Sequence, residues 1–167
     1  MTRRLDRIAL LIFLIPLLAL AGALFTEHVL GFPPCYLCKW QRVPYVLVLG
    51  LGGYALAPWH AVAHRRRALA VAGLVFFAGA GIALFHAGVE AHWWAFESDC
   101  TGNFGEPQTI EELRQRLTQA PVVRCDEVPF RVLGLSMAAW NAALSPVFAL
   151  LALLGAHKLS SSESQYR

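Results

Sequence analysis

Two cysteines separated by two residues, Cys35 and Cys38, are the clearest chemical signal in this sequence. Such a CxxC pair can close a small disulfide, and its thiolate often forms more readily than that of an isolated cysteine. If the chain becomes helical at or just after Cys38, Arg42 lies about one turn further on, where its positive charge can stabilise a thiolate. A haem attachment motif needs a histidine directly after the second cysteine, and Lys39 stands there instead. The pattern therefore indicates thiol–disulfide redox chemistry.

The other two cysteines, Cys100 and Cys125, lie in a later segment rich in glycine, proline and acidic residues. A disulfide between them could be a structural staple, contributing about 3 kcal/mol by closing that loop. It could instead exchange with the CxxC pair, because a thiolate passes electrons between disulfides through a mixed disulfide. A zinc site built from the four cysteines is disfavoured, since the second pair lacks CxxC spacing and has no histidine within a few residues. We therefore expect no metal.

The composition predicts an integral membrane protein. Of the 167 residues, 57% are hydrophobic and only 15% are charged. Four apolar runs are each long enough to cross a bilayer as a helix, at about residues 8–28, 43–62, 68–90 and 132–157. Because backbone groups within a membrane must be satisfied inside their own segment, we expect an all-α bundle of four transmembrane helices, forming one integral membrane domain over residues 1–167.

The basic residues predict the orientation of this bundle. They cluster at residues 3–7, at 65–67 and after the last apolar run, and the positive-inside rule assigns these clusters and both termini to the cytoplasmic side. The loops at 31–42 and 91–131 then face outside and hold all four cysteines, where disulfides can persist. Such short clusters, with a net charge of only +3, do not indicate a nucleic-acid surface. A cleavable signal peptide is the alternative for the first run, which is longer than an ordinary signal core.

A short amphipathic helix is expected within the second outer loop. Thr109 and Glu112 have capping-box spacing, and Ile110, Leu113 and Leu117 share one helical face. This helix would rest on the membrane surface or pack on the loop itself, and the sequence leaves both open.

Electrons that reach Cys35 and Cys38 need an acceptor. The chain has no GxGxxG turn and no room for a nucleotide-binding domain, so a membrane-soluble carrier such as a quinone is the simplest choice. His86 is expected near the outer end of the third helix, at about the depth of Cys38 and Arg42, and is a candidate to bind that carrier. A histidine hydrogen-bonded within the bundle is the alternative.

Three stretches resemble the DsbB family of bacterial disulfide-forming membrane proteins, and together they span nearly the whole chain. They are Pro34-Cys35-Tyr36-Leu37-Cys38 with Gln41-Arg42, then Phe85-His86-Ala87-Gly88-Val89-Glu90 leading to Trp93-Trp94 and Cys100, and finally Leu133-Gly134-Leu135-Ser136 with Trp140.

The resemblance implies a four-helix protein of the bacterial inner membrane whose active site faces the periplasm. It implies that ubiquinone or menaquinone regenerates the disulfide of Cys35 and Cys38, and that Arg42 and His86 hold the quinone. The electron donor would be a soluble thioredoxin-fold protein of the DsbA type.

The resemblance also implies a role for each cysteine. Cys100 would form the mixed disulfide with the partner, and Cys125 would pass electrons to Cys35. Cys38 would then face the quinone.

Two rival functions remain. A vitamin K epoxide reductase-like protein also joins loop cysteines, a membrane CxxC and a quinone, but there the CxxC opens a late helix. A haem-binding membrane subunit using His28 and His86 belongs to a different class, and it leaves the cysteines unexplained.

Overall fold

The computed structural model describes residues 2–94, 96, 109–111, 114, 123–128 and 131–164, with the side chains of residues 2–4 and 158–164 left out. Four long helices and one small hairpin make up most of the described chain. They are α1 (Thr2–His28), α2 (Tyr36–Leu56), α3 (Val62–Glu90), the hairpin strands β1 (Arg131–Val132) and β2 (Leu135–Ser136), and α4 (Met137–Ser164). The predicted all-helical architecture is confirmed.

Three of these helices contain a stretch that is long and apolar enough to cross a membrane: Leu5–His28, Val62–Glu90 and Met137–His157. Many large apolar side chains on them are exposed, as expected for surfaces that face lipid tails. A membrane helical bundle fits this architecture. The first two turns of α2 carry Lys39, Gln41 and Arg42, which make it less apolar, and its place as a fourth span stays a prediction.

Helix α2 begins at Tyr36, so the later part of the predicted 31–42 loop is helical. The prolines at 33 and 34 hold the preceding chain extended, because they disfavour helical geometry in the residue before them. Cys35 is the N-cap residue, and its Sγ accepts a hydrogen bond from the Cys38 backbone N–H at 3.2 Å. The CxxC motif therefore forms the first turn of the helix that also carries Arg42.

Arg65 ties three helices together at the end of the bundle far from the CxxC motif. Its side chain is only 4% exposed, and it donates to the Ala55 carbonyl and to the Asp6 carboxylate. Helix α3 begins at Val62, so the basic cluster at 65–67 lies inside this helix and not between two helices. This end therefore holds the N-terminal parts of α1 and α3 and the C-terminal end of α2.

Two glycines allow the helices to approach closely. A Cβ added at Gly52 would lie 2.9 Å from the backbone of Phe13, and one added at Gly73 would lie 2.7 Å from Cγ of Leu153. Small residues permit such contacts in membrane bundles, where association depends on packing. The core that results is centred on Phe76, which is fully buried.

The predicted amphipathic helix falls largely on residues outside the described part of the chain, Leu113 and Leu117 among them. Ile110, Glu111 and Arg114 are helical, and the Ile110 side chain is exposed. Cys100 also lies outside the described residues.

Candidate redox site

The two cysteines of the CxxC motif lie side by side at the start of α2. Both are free thiols, with the Cys35 thiol donating to Sγ of Cys38 at 2.7 Å. This hydrogen bond, followed by burial, raises the pKa of the Cys35 thiol well above its ordinary value. Cys38 accepts the bond within the first helical turn, where the helix dipole favours negative charge. Cys38 is therefore the better placed of the two to carry a thiolate.

Cys125 lies in the same buried cluster as Cys35. The cluster also contains Leu37 of α2 and Val89 of α3, and both cysteines are at most 5% exposed. The segment around Cys125 thus packs directly on the N-terminal end of α2. The structure brings Cys125 of the 91–131 segment to the CxxC motif, as an exchange between the two cysteine pairs requires.

His86 stands at the junction of these groups and is only 2% exposed. Its Nε2 lies 3.6 Å from Sγ of Cys35 and 3.7 Å from Oε1 of Glu90. The backbone of Cys125 is hydrogen-bonded to its ring, and Nε2 of Gln41 contacts Nδ1. The prediction that His86 lies at the depth of the CxxC motif is consistent with these contacts, and so is the alternative of a histidine hydrogen-bonded within the bundle.

Arg42 faces the same region but has a partner that the sequence did not suggest. Its guanidinium forms an ion pair with Glu27 of α1 at 2.6 Å, and both side chains are about one quarter exposed. The pair fixes Arg42 between the end of α1 and the start of α2, close enough for its charge to act on Cys38.

A cavity of about 470 Å³ opens beside Cys38 and is walled mainly by apolar side chains of α1 and α4. Its volume lies within the range typical of sites for small organic ligands. Polar side chains also line it, and they include Cys38, Gln41, Arg42, His86, Glu90 and Asn141. Of the three described cysteines only Cys38 lines it, although Cys38 also packs against the cluster of Cys35 and Cys125.

Ser136 and Trp140 in the third resembling stretch connect α4 to this site. Ser136 accepts from the Ala139 backbone N–H at 3.1 Å as the N-terminal cap of α4, and its hydroxyl donates to the Glu90 carboxylate. The Trp140 indole donates to the Val132 carbonyl at 2.9 Å, which holds the hairpin against α4. These contacts give that stretch a physical role that its sequence did not reveal.

Gln41 and Asn141 also belong to the site, although the sequence alone did not identify them as candidate site residues. For Asn141 the available signal was a strongly polar side chain within an apolar run, since such residues in membrane helices usually face a partner or a cavity. Gln41 precedes the second apolar run and carried no such signal. Their contacts join α2 to α4, and Asn141 donates to Oε1 of Gln41.

Two alternatives can be compared with this geometry. His28, paired with His86 in the haem alternative, is exposed, bonds the Leu24 carbonyl within its own helix, and does not line the cavity. The ligand atoms of Cys35, Cys38 and His86 lie within 4.8 Å of one another, so this trio could hold a thiophilic cation. It differs from the four-cysteine zinc site considered from the sequence.

Comparisons with known proteins agree on one family. The family model described as Disulfide bond formation protein DsbB matches residues 4–155. Disulfide bond formation protein B of Marinobacter nauticus is 32% identical over 155 residues, covering 87% of this chain and 86% of the relative. Disulfide bond formation protein B 2 of Pseudomonas aeruginosa is 36% identical over 151 residues, covering 82% and 81%. An uncharacterized protein of Rickettsia prowazekii is 24% identical over 148 residues, covering 87% and 83%. No solved structure matches the chain.

Proposed function

Because this chain belongs to the DsbB family of disulfide bond formation proteins, we propose that it reoxidises a periplasmic thioredoxin-fold thiol oxidase of the DsbA type and passes the electrons to a membrane quinone. Membership of the family supports a membrane oxidoreductase that forms disulfides. The observation that carries the finer proposal is the placement of the three described cysteines. Cys125 and Cys35 are buried in one cluster, and Cys38 packs against that cluster but also lines the cavity.

The proposed thiol steps use this placement, together with the role of Cys100 that the family resemblance implies. A thiolate of the reduced partner attacks Cys100 in a Cys100–Cys125 disulfide, which releases Cys125 as a thiolate. Cys125 then attacks Cys35 in the Cys35–Cys38 disulfide, and Cys38 leaves as the thiolate. The second thiolate of the partner resolves its bond to Cys100, and the partner is released with its own disulfide. The Cys100 thiolate then attacks Cys125 in the Cys35–Cys125 disulfide, which restores the Cys100–Cys125 disulfide and releases Cys35 as a thiolate. Each step forms one S–S bond and breaks one, so two electrons move from the partner to the CxxC pair.

The cavity suits a quinone, and both ubiquinone and menaquinone fit the argument. Its walls are mainly apolar, and the Arg42 guanidinium and the His86 ring would supply hydrogen-bond donors to a quinone carbonyl. A bound quinone would supply a two-electron, two-proton oxidant at this site. Arg42 would also stabilise the thiolate of Cys38 through its positive charge, at the position where that sulfur leaves the disulfide.

A strong oxidant is needed for energetic reasons. A partner of the DsbA type has a reduction potential near −120 mV, and an ordinary dithiol acceptor lies near −200 mV. Transfer between them is uphill by about 80 mV, which corresponds to about 3.7 kcal/mol for two electrons. Coupling to a quinone removes this barrier.

The proposal includes four transmembrane helices in the bacterial inner membrane, with both termini cytoplasmic and the cysteines facing the periplasm. The separation of charge supports it, because the basic cluster at 65–67 begins α3 while the CxxC motif begins α2, and these helix starts lie at opposite ends of an antiparallel helix pair.

The test is quinone reduction by the purified protein in detergent, supplied with a reduced thioredoxin-fold partner of the DsbA type. We expect turnover that requires both partner and quinone, and that is retained in Lys39→Ala, which changes an exposed residue within the motif region. Absence of quinone reduction with every such partner would contradict the proposal. A Soret band that persists when the cysteines are replaced would support the haem alternative instead.

A further inference from the structure

A chain of hydrogen-bonded side chains crosses the apolar bundle and ends at His86. Asn141 of α4 donates from Nδ2 to Oε1 of Gln41 in α2, and Nε2 of Gln41 contacts Nδ1 of His86 in α3. At the other end, the hydroxyls of Tyr45 and Ser145 both bind Oδ1 of Asn141. Within the described chain, every buried side-chain nitrogen or oxygen has a partner. Burial makes an unpaired polar group costly, so the orientation of each amide depends on its neighbours.

The direction of the chain is set at Asn141. The Tyr45 and Ser145 hydroxyl oxygens lie 2.6 Å and 2.7 Å from Oδ1 of Asn141. A carbonyl oxygen has two lone pairs and can accept from both hydroxyls at once. An inverted Asn141 would also leave the Tyr45 hydroxyl with Ser145, at 3.3 Å, as the acceptor in this network. Asn141 therefore presents its carbonyl to the hydroxyls and its amide nitrogen to Gln41.

This direction determines which nitrogen of His86 carries the proton. Because Oε1 of Gln41 accepts from Asn141, its Nε2 faces the ring, and an amide nitrogen can only donate. Nδ1 must then accept, and in a neutral ring the proton lies on Nε2. That N–H faces the Cys35 sulfur at 3.6 Å and the Glu90 carboxylate at 3.7 Å.

We propose that Gln41 and Asn141 are positioning residues that hold His86 in the Nε2–H tautomer. His86 then acts as a hydrogen-bond donor toward Cys35 and toward a ligand in the cavity, and it does not act as the base that removes the Cys35 proton. The catalytic meaning of this assignment rests on the proposed function, whereas the tautomer itself does not.

The tautomer can be measured directly. The full-length reduced protein, free of quinone, is labelled with ¹⁵N in its histidine rings, and the His86 signals are identified by their loss in His86→Gln. We expect an unprotonated Nδ1 and a protonated Nε2 in the unmodified chain. A protonated Nδ1 would overturn the proposal, whatever the variants do.

Two variants test whether the hydrogen bonds of the Gln41 and Asn141 amides determine the His86 tautomer. Gln41→Met removes the donor to Nδ1, and Asn141→Leu removes the group that orients Gln41 without itself contacting His86. Both variants should produce a mixture of the two tautomers. The control Tyr54→Phe should not, because Tyr54 is exposed on α2 and takes no part in the hydrogen-bond network described above. An unchanged Nε2–H tautomer in both folded variants would overturn the proposal. If one variant fails to fold, the tautomers of the unmodified protein and of the other variant decide whether the proposal holds.

Turnover provides a separate readout. Both variants should reduce quinone at least about 10-fold more slowly than Tyr54→Phe. This factor is the lower end of the loss observed when a metal-bound histidine loses the partner that orients its ring. Rates equal to that of Tyr54→Phe, with a mixed tautomer, would overturn the positioning role. If the unmodified chain shows the expected tautomer but reduces no quinone, the proposed function fails while the tautomer assignment stands.

Discussion

Replacing both Cys38 and Cys100 with serine should trap a disulfide between the two cysteines that remain. Cys35 and Cys125 are both nearly fully buried and share one cluster, so the thiols are already held together before any bond forms. The new bond would close a loop of about 90 residues, and loop-closure entropy then predicts a stabilisation of about 4 to 5 kcal/mol against unfolding.

Two measurements check this trap. Maleimide labelling of the denatured protein, followed by mass spectrometry, should find no free thiol after brief treatment with oxidised glutathione. Thermal unfolding in detergent should shift to higher temperature when the bond is formed, and the shift should disappear with reductant. The matched control is Cys35→Ser with Cys100→Ser, which leaves Cys38 and Cys125 and should oxidise more slowly, because Cys38 packs against the cluster from the cavity side whereas Cys35 is buried within it. A control pair that oxidises as fast as Cys35 and Cys125, or a trap that stays reduced, would refute the reasoning.

Three further outcomes follow from the site. Ser136→Ala should lower the free energy of unfolding, measured by chemical denaturation, by about 2 to 4 kcal/mol. The change removes the N-terminal cap of α4, worth about 1 kcal/mol, and the hydroxyl that donates to the Glu90 carboxylate. A loss below about 1 kcal/mol would show that one of these bonds contributes nothing. In the reduced protein at pH 8, iodoacetamide should alkylate Cys38 before Cys35, since the raised pKa keeps the Cys35 thiol protonated; peptide mapping that finds Cys35 labelled first contradicts this order. Chelators should leave turnover unchanged. Added Zn²⁺ should inhibit turnover by binding the reduced thiols of Cys35 and Cys38 together with His86. A His86→Gln variant that is equally sensitive to Zn²⁺ would exclude these three residues as the inhibitory site.

The sequence was sufficient to predict the helices and the chemical groups. An apolar run of about 20 residues in a membrane almost always forms a helix. The residue types and spacing of a CxxC pair followed by Arg42 indicate thiol–disulfide chemistry. The start of α2 at Tyr36 was not predicted, because the polar residues in its first two turns delay the apolar pattern until residue 43, after the helix has begun.

The contacts between helices could not be predicted in the same way. A membrane helix that is apolar on all sides does not show which face meets its neighbour, so periodicity gives no register. The bond from Asn141 to Gln41 joins residues 100 positions apart, and the bond from Ser136 to Glu90 joins residues 46 apart. Each requires the assembled bundle, which is why the positioning groups of the site emerged only from the structure.

The central claim is that Cys35 exchanges with the outer loop while Cys38 delivers electrons to the quinone. Its most direct test is the Cys38→Ala variant, mixed with the reduced thioredoxin-fold partner and excess quinone. With Cys35 then unable to form its disulfide with residue 38, we expect the quinone to remain oxidised while the partner still forms a mixed disulfide at Cys100. Quinone reduction at the rate of the unmodified chain would contradict the account.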